Sequence, residues 1–232
     1  MQENMQPRHE IKFHISPLDA QALSYRLEAV MQRDRHADPR TGEYTIRSLY
    51  FDDAWDSAFH DKLVGIQHRD KYRIRIYSTK NSPITIERKR KIGDLIQKDG
   101  VRITERLARQ LMRADPTGLE TIGRPLLTDV AVQMRTKLLR PAVIVEYDRE
   151  AFTYPVEDVR VTIDKRVRTG LGNKDLFDPD LQTLEVMDRG TWVLEVKYNN
   201  YLPDFIAALI GVPAERSAIS KYTLCRRFDP SL

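Results

Sequence analysis

Apolar residues along this chain recur with two periods. Runs near 8–14, 43–52, 69–78, 83–92, 142–154, 158–167, 183–188 and 191–198 alternate apolar with polar positions, the pattern of strands that turn one face to a core. Elsewhere the spacing is helical. Ser16 can cap and Pro17 suits a first helical position, with Leu18, Ala22, Leu27 and Val30 following. Thr104 caps a second stretch to about Ala114, a third runs from Pro125 to Lys137, a fourth from Pro203 to Ile210, and a short last one from Ala218 to Arg226. About eight strands joined mostly by short turns, with helices grouped between them, disfavour a parallel sheet. The pattern predicts an α+β domain on an antiparallel sheet or closed β-barrel, with helices packed outside. With no repeat, low-complexity tract or flexible linker, a single domain is expected over residues 1–232.

The polar faces of these strands carry an unusual load. Side chains alternate faces with a period of two. Arg8, Glu10 and Lys12 therefore oppose Ile11 and Phe13, and Lys71, Arg73 and Arg75 form a wholly cationic face. Ile84 and Ile86 leave Glu87, Lys89 and Lys91 on the other side. Arg160, Thr162 and Asp164 share a face that continues to Arg166, while Glu195 and Lys197 oppose Trp192, Leu194, Val196 and Tyr198. For any one strand a solvated outer face is the ordinary reading. Five strands biased toward Lys and Arg are harder to read that way, because like charges opposite one another across strands destabilise a sheet. Two cations about 4 Å apart repel by roughly 1 kcal/mol in water and roughly 4 kcal/mol at an effective dielectric near 20. Several such pairs would consume much of a typical stability of roughly 5–15 kcal/mol, so the cluster makes sense if a polyanion neutralises it. Arg forks match phosphate oxygens, Lys supplies point charge, and the interspersed acids suit a hard divalent cation. A closed barrel would gather these faces into one lumen.

Composition narrows the partner only slightly. The 232 residues carry a net charge of +4 and 31% charged residues, which favours an anionic ligand. One cysteine, Cys225, excludes an internal disulfide and a Cys-based zinc site and suits a reducing, cytoplasmic setting. The segment from Met1 to His9 lacks the apolar stretch of a signal peptide, and the longest apolar run, Phe205 to Val212, is far short of the roughly 20 residues of a membrane span. No Walker-type loop occurs, and His9, His14, His36, His60 and His68 have no zinc-site spacing. Asp52-Asp53 reads as a loop cap rather than a metal site, and Arg88 and Arg90 as solvated rim residues that do not call for nucleic acid.

Eight segments, in order, resemble the VTC-type polyphosphate polymerases of the triphosphate tunnel metalloenzyme group. They are Arg8-His9-Glu10-Ile11-Lys12-Phe13, Ser48-Leu49-Tyr50-Phe51-Asp52, Lys71-Tyr72-Arg73-Ile74-Arg75, Glu87-Arg88-Lys89, Glu146-Tyr147-Asp148-Arg149-Glu150-Ala151-Phe152, Arg160-Val161-Thr162-Ile163-Asp164, Leu194-Glu195-Val196-Lys197-Tyr198 and Ser220-Lys221-Tyr222. The resemblance implies a tunnel that moves the γ-phosphate of ATP onto a growing polyphosphate chain, primed by pyrophosphate, with Mn²⁺ or Mg²⁺. It implies that Arg73, Arg75, Lys89, Arg149, Arg160 and Lys197 act on the transferring phosphates, with Arg8, Glu10, Lys12, Lys71, Arg166, Ser220 and Lys221 binding substrate. Glu195 and Glu87 would hold the metal. Arg149 enters on resemblance alone, because Val143, Val145, Tyr147 and Arg149 do not alternate cleanly. Arg8 stands where tunnel triphosphatases favour the first acid of Glu-x-Glu-x-Lys, which argues for a longer anion. Two alternatives stay open at this point: hydrolysis of inorganic or nucleoside triphosphate, and polyphosphate binding without catalysis. The chain looks like a stand-alone, bacterial-type catalytic domain, with a peripheral membrane partner protein as a further expectation.

Overall fold

The alternating segments pair edge to edge until the sheet meets itself. The computed structural model describes residues 5–78, 83–93, 95–211 and 217–232, with backbone alone at 5–7. Its strands are β1 (Met5–Ile15), β2 (Gln32–Arg33), β3 (Glu43–Asp52), β4 (His68–Tyr77), β5 (Ile84–Ile92), β6 (Leu95–Ile103), β7 (Arg140–Tyr154), β8 (Val159–Thr169), β9 (Leu184–Glu185) and β10 (Trp192–Tyr198). Hydrogen bonds run in the order β7-β3-β4-β5-β6-β1-β10-β8, and β8 pairs back onto β7. Every pairing is antiparallel, so the ring has no free edge apart from local gaps. The short β2 and β9 flank β7 and β8.

Helices cover the outside. They are α1 (Pro17–Glu28), α2 (Ser57–Leu63), α3 (Glu105–Met112), α4 (Pro125–Lys137), α5 (Asp204–Ile210) and α6 (Lys221–Arg226). Outward residues of β3 to β6, such as Leu49, Ile74, Ile86 and Val101, pack under Leu111 of α3 and Leu127 and Val130 of α4. Ile163, Leu194 and Val196 pack under Leu23 and Leu27 of α1 and Ile206 of α5. Each such side chain contributes roughly 1.5–3 kcal/mol by leaving water, which fixes which strand face points in.

A third cluster lies within the ring. Ile46, Tyr50, Val143, Val145, Tyr147 and Val167 meet Tyr222 and Cys225 of α6, so this helix fills the lumen side of β3, β7 and β8. Residue 217 enters beside β1, whose pairing with β6 is confined to Met5–Arg8, and its amide donates to the Lys12 carbonyl at 2.8 Å.

Several elements differ from expectation. The helix begun at Pro17 buries Ala20, Leu23, Ser24 and Leu27, whereas Leu18, Ala22 and Val30 are exposed; Ser16 caps it as expected, accepting from the Asp19 amide at 3.1 Å. The strand expected over 183–188 is two residues long, and the last helix starts at Lys221, not Ala218. Three elements were not foreseen: β6, α2 and the two-residue β2. Asp52 accepts from the Ala58 and Phe59 amides and Asp53 from those of Trp55 and Ser57, which bears out the capping role of the pair.

Candidate functional site

Strands β1, β4, β5 and β10 turn mainly charged faces inward, joined by Lys98 of β6, Arg149 of β7 and Asp164 of β8. Lys12, Lys71, Arg73, Arg75, Lys89, Lys98, Lys197 and Arg149 surround Glu10, Glu87, Asp164 and Glu195. Glu10 accepts from Lys89 at 2.8 Å and from Lys12 at 3.0 Å; Lys12 also reaches Glu195 at 3.5 Å, and Lys197 pairs with Glu195. On the other wall Arg73 meets Glu87 at 2.7 Å and Lys98 meets it at 2.6 Å, while Arg75 donates to Ser48 and Tyr147. Deeper still, Arg149 forks onto both oxygens of Asp164 at 2.6 and 2.7 Å, and Lys221 of α6 adds a bond at 2.6 Å.

Electrostatics set the protonation states. Burial and the adjacent Glu195 would raise the Glu10 carboxyl, but Lys12, Lys89 and Lys197 outweigh them and hold it far below the carboxylate range. Glu195 and Glu87 are likewise ionised against burial by their cationic neighbours. The lysines divide. Lys12, set between two carboxylates, is raised despite burial, whereas burial together with Lys12 and Lys197 pushes Lys89 down to about 8 despite Glu10. Lys71 falls well below the ordinary lysine value, first through burial and then through Arg69, Lys89, Lys12 and Lys62. Its ammonium donates to Ser220 Oγ at 3.1 Å and lies 4.7 Å over the Tyr222 ring. The site is thus a cationic cluster inside the ring, in which acids space the cations without balancing them.

Comparison with known proteins agrees with this geometry. The VTC domain model matches residues 7–228. The chain belongs to the VTC domain family. No curated protein matches it. Solved structures share the fold at low identity. HpAC1 from Hippeastrum, described as an adenylyl cyclase with a dominant triphosphatase activity, is 15% identical with a TM-score of 0.53, covering 97% of each chain. The adenylate cyclase-like bh2851 protein of Bacillus halodurans gives 12% and 0.51 over 90% of this chain and 87% of its own. PH1012 from Pyrococcus horikoshii gives 11% and 0.51 over 94% and 98%.

Within the VTC domain most of the expected residues meet in the lumen, and one does not. Arg166 adopts a φ of 48° and lies outside, half exposed, bonded to Asp148 at 2.8 Å. The β7–β8 register shifts between Glu146 and Asp148, so the alternation counted from Arg160 and Asp164 slips before Arg166. Arg160 and Arg8 stand toward one mouth: Arg160 is tied to Asp34 at 2.6 Å and Tyr44 at 3.0 Å, and Arg8 to Asp158 at 2.5 Å. Ser220 caps α6 and Lys221 points inward from it. Two lumen residues were absent from the expected set. Lys98 sits on the unforeseen β6, and Asp164 is the buried counter-ion of Arg149 and Lys221.

A divalent cation fits one place in the VTC domain lumen. Glu195 and Glu10 supply hard oxygens on neighbouring strands, and Thr162, across from Glu195, has a buried hydroxyl without a partner among the described residues. Among the described residues no three His, Cys, Asp or Glu side chains converge, so substrate oxygens would complete the coordination, as is usual for Mg²⁺. Both Glu87 oxygens are taken by Arg73 and Lys98, as those of Glu10 and Glu195 are by Lys12, Lys89 and Lys197, so a metal would displace a cation at either place. The unpartnered Thr162 hydroxyl is what favours the second. No helix among the described residues is long and apolar enough to cross a membrane.

Proposed function

We propose that this VTC domain is a polyphosphate polymerase that transfers the γ-phosphate of ATP to the end of a polyphosphate chain inside the lumen. The observation that carries the reading is the excess of lysine and arginine around four ionised carboxylates in a closed ring. A terminal phosphate oxygen of the acceptor attacks the γ-phosphorus, the new P–O bond forms, and the bond to ADP breaks. The attacking oxygen is already anionic near neutral pH, so no protein nucleophile is needed and catalysis rests on alignment and charge stabilisation. Arg73 and Arg75, held by Glu87, Ser48 and Tyr147, present rigid forks to the transferring group, and Arg149 is braced by Asp164. Lys12, Lys89 and Lys197 neutralise the flanking phosphates. Glu195, with Glu10 beside it, would hold Mn²⁺ or Mg²⁺, which would supply positive charge against that of the phosphates. Arg8 at the mouth, in place of a further acid, favours a long anion over hydrolysis of a short one.

One observation favours a second reading. With α6 occupying part of the lumen, a short substrate would also fit, as hydrolysis of a triphosphate requires. Incubation with ATP and Mn²⁺, with and without pyrophosphate, followed by a polyphosphate gel decides between them. The expected result is a ladder of chains with ADP release, absent in Glu195→Gln and Arg73→Ala. Phosphate release without chains would assign hydrolysis instead. No turnover, with triphosphate still raising the melting temperature, would leave a binding module.

A further inference from the structure

At the end of the ring where β3 gives way to β4, α6 packs against β7, β8 and α2 and touches β4 through Ser220 and Tyr222. The β4–β5 wall beyond that contact is lined differently. Lys71 lies directly across from Lys89, which lies across from Lys98, and one step nearer the rim Arg69 lies across from Lys91. Two successive rows therefore oppose like charges, an arrangement that costs stability in a sheet. The next row inward, Arg73 against Glu87, is compensated. Lys62 of α2 adds to the group: burial lowers its pKa, and Arg69, Lys12 and Lys91 lower it further.

Lys89 and Lys98 keep Glu10 and Glu87, but among the described residues no carboxylate pairs with Lys62, Arg69, Lys71 or Lys91. The partners of Lys71 are Ser220 and the Tyr222 ring, that of Lys91 is Gln67 Oε1 at 2.9 Å, and Arg69 donates to the Ile66 carbonyl, with Asp61 the one acid acting on it. The acid of this region that does form ion pairs, Asp70, faces the other way and is forked by Arg90 at 2.9 Å. Lys12 influences Lys62, Lys71 and Lys89 alike, so the rim group is continuous with the lumen. Rows two residues apart are separated by roughly 6–7 Å, and the path from Arg73 past Lys71 to Arg69 lengthens the cationic surface by two such steps.

We propose that Lys62, Arg69 and Lys91, next along the wall from Lys71, form an exit-side subsite that grips the polyphosphate chain beyond the reacting triphosphate and leads it out beside α2. The assignment rests on the lumen reading above and adds to it a chain-length preference. Such a subsite contributes nothing to a triphosphate, which ends before it, and adds phosphate contacts to a longer chain.

The test compares triphosphate with a linear polyphosphate of about twenty phosphates, with affinities measured across a salt series for the wild type and a Lys62→Gln, Arg69→Gln, Lys91→Gln variant. The expected result is triphosphate affinity within about twofold of wild type, long-chain affinity at least about tenfold weaker, and a flatter salt slope, near 0.7 less per lost contact. Equal losses for both ligands, or no loss for the long chain, would overturn the subsite. The charge-retaining Lys62→Arg, Arg69→Lys, Lys91→Arg variant should keep wild-type long-chain affinity, and its failure to do so would overturn the proposal as well. In the wild type, triphosphate binding with no gain for the long chain defeats the subsite alone, whereas binding of neither ligand defeats the lumen reading beneath it. Single-stranded nucleic acid that competes as well as polyphosphate would reassign the rim and overturn the proposal.

Discussion

The outer wall of β3, β7 and β8 and the lumen wall of β1, β4, β5 and β10 are built from the same residue types with opposite results. On the outer wall the signs alternate. Arg47 and Arg168 share Glu146, Arg168 and Arg166 share Asp148, Arg166 and Lys165 share Glu43, and Lys165 and Arg33 share Glu150. Every cation in that chain has a carboxylate on either side or at its end, and the ladder is complete without a ligand. In the lumen the acids are outnumbered, and Lys71 has none among the described residues. A charged wall that is finished in the free protein is structural, and one left unfinished awaits an anion.

The largest test of that contrast removes an acid from each wall. Asp164→Ala strips the buried counter-ion from Arg149 and Lys221 and should cost about 3–5 kcal/mol in urea denaturation, with saturating triphosphate recovering part of the loss through linkage. Glu146→Ala on the outer wall should cost less, since Arg168 keeps Asp148, and triphosphate should restore none of it. If triphosphate rescued both alike, the distinction between the walls would be lost. Next comes Lys71→Met. Removal of an uncompensated cation should raise ligand-free stability by about 1 kcal/mol while weakening triphosphate binding about tenfold; a loss of stability would mean that Lys71 is balanced after all.

Lys71 also gives a pH signature. Its pKa is depressed in the folded protein, chiefly by burial, so the unfolded chain binds more protons as pH rises from the folded value toward 10.5. Ligand-free stability should therefore climb across that window, triphosphate affinity should fall over it, and Lys71→Met should flatten both slopes. Thermal melts and calorimetry from pH 7 to 10.5 read this directly. The smallest effect belongs to Arg166→Ala. A half-exposed pair is worth about 0–1 kcal/mol, and triphosphate binding should not change at all.

The lumen was legible wherever a strand alternates cleanly. Glu10, Lys12, Arg73, Arg75, Glu87, Lys89, Glu195 and Lys197 all follow from period-two counting against isoleucine, valine and phenylalanine neighbours. Where the count failed, a local cause is visible. The shift that leaves Arg166 outside is a bulge, which adds a residue without leaving a mark in the hydrophobic pattern. Strand β7 is buried on both faces, by the ladder outside and α6 inside, so Val143 to Arg149 shows no alternation although it points inward and outward in turn. Strand β6 was hidden by its own content. Asp99 on its outer face serves Arg88 at 2.5 Å, and Asp99-Gly100 is a pair that ordinarily marks a turn, so Lys98 could not be placed. The α1 face was misread for a simpler reason: its apolar residues fit two helical stripes, and the wall of β8 and β10 selects the one through Leu23 and Leu27.

The pairing of β1 with β10 joins residues near 10 to residues near 197, and the β3–β7 and β7–β8 pairs cannot enclose anything until that seam forms. A chain that still lacks β10 cannot close the ring, and the cationic rows of β1, β4 and β5 are then open to water. Contacts of such long sequence separation form slowly. Until the last strand arrives, the face turned away from α3 and α4 stays open, and any polyanion in the surrounding solution meets those rows first. A polyanion of the kind proposed as substrate would be suited to hold that half-made wall together.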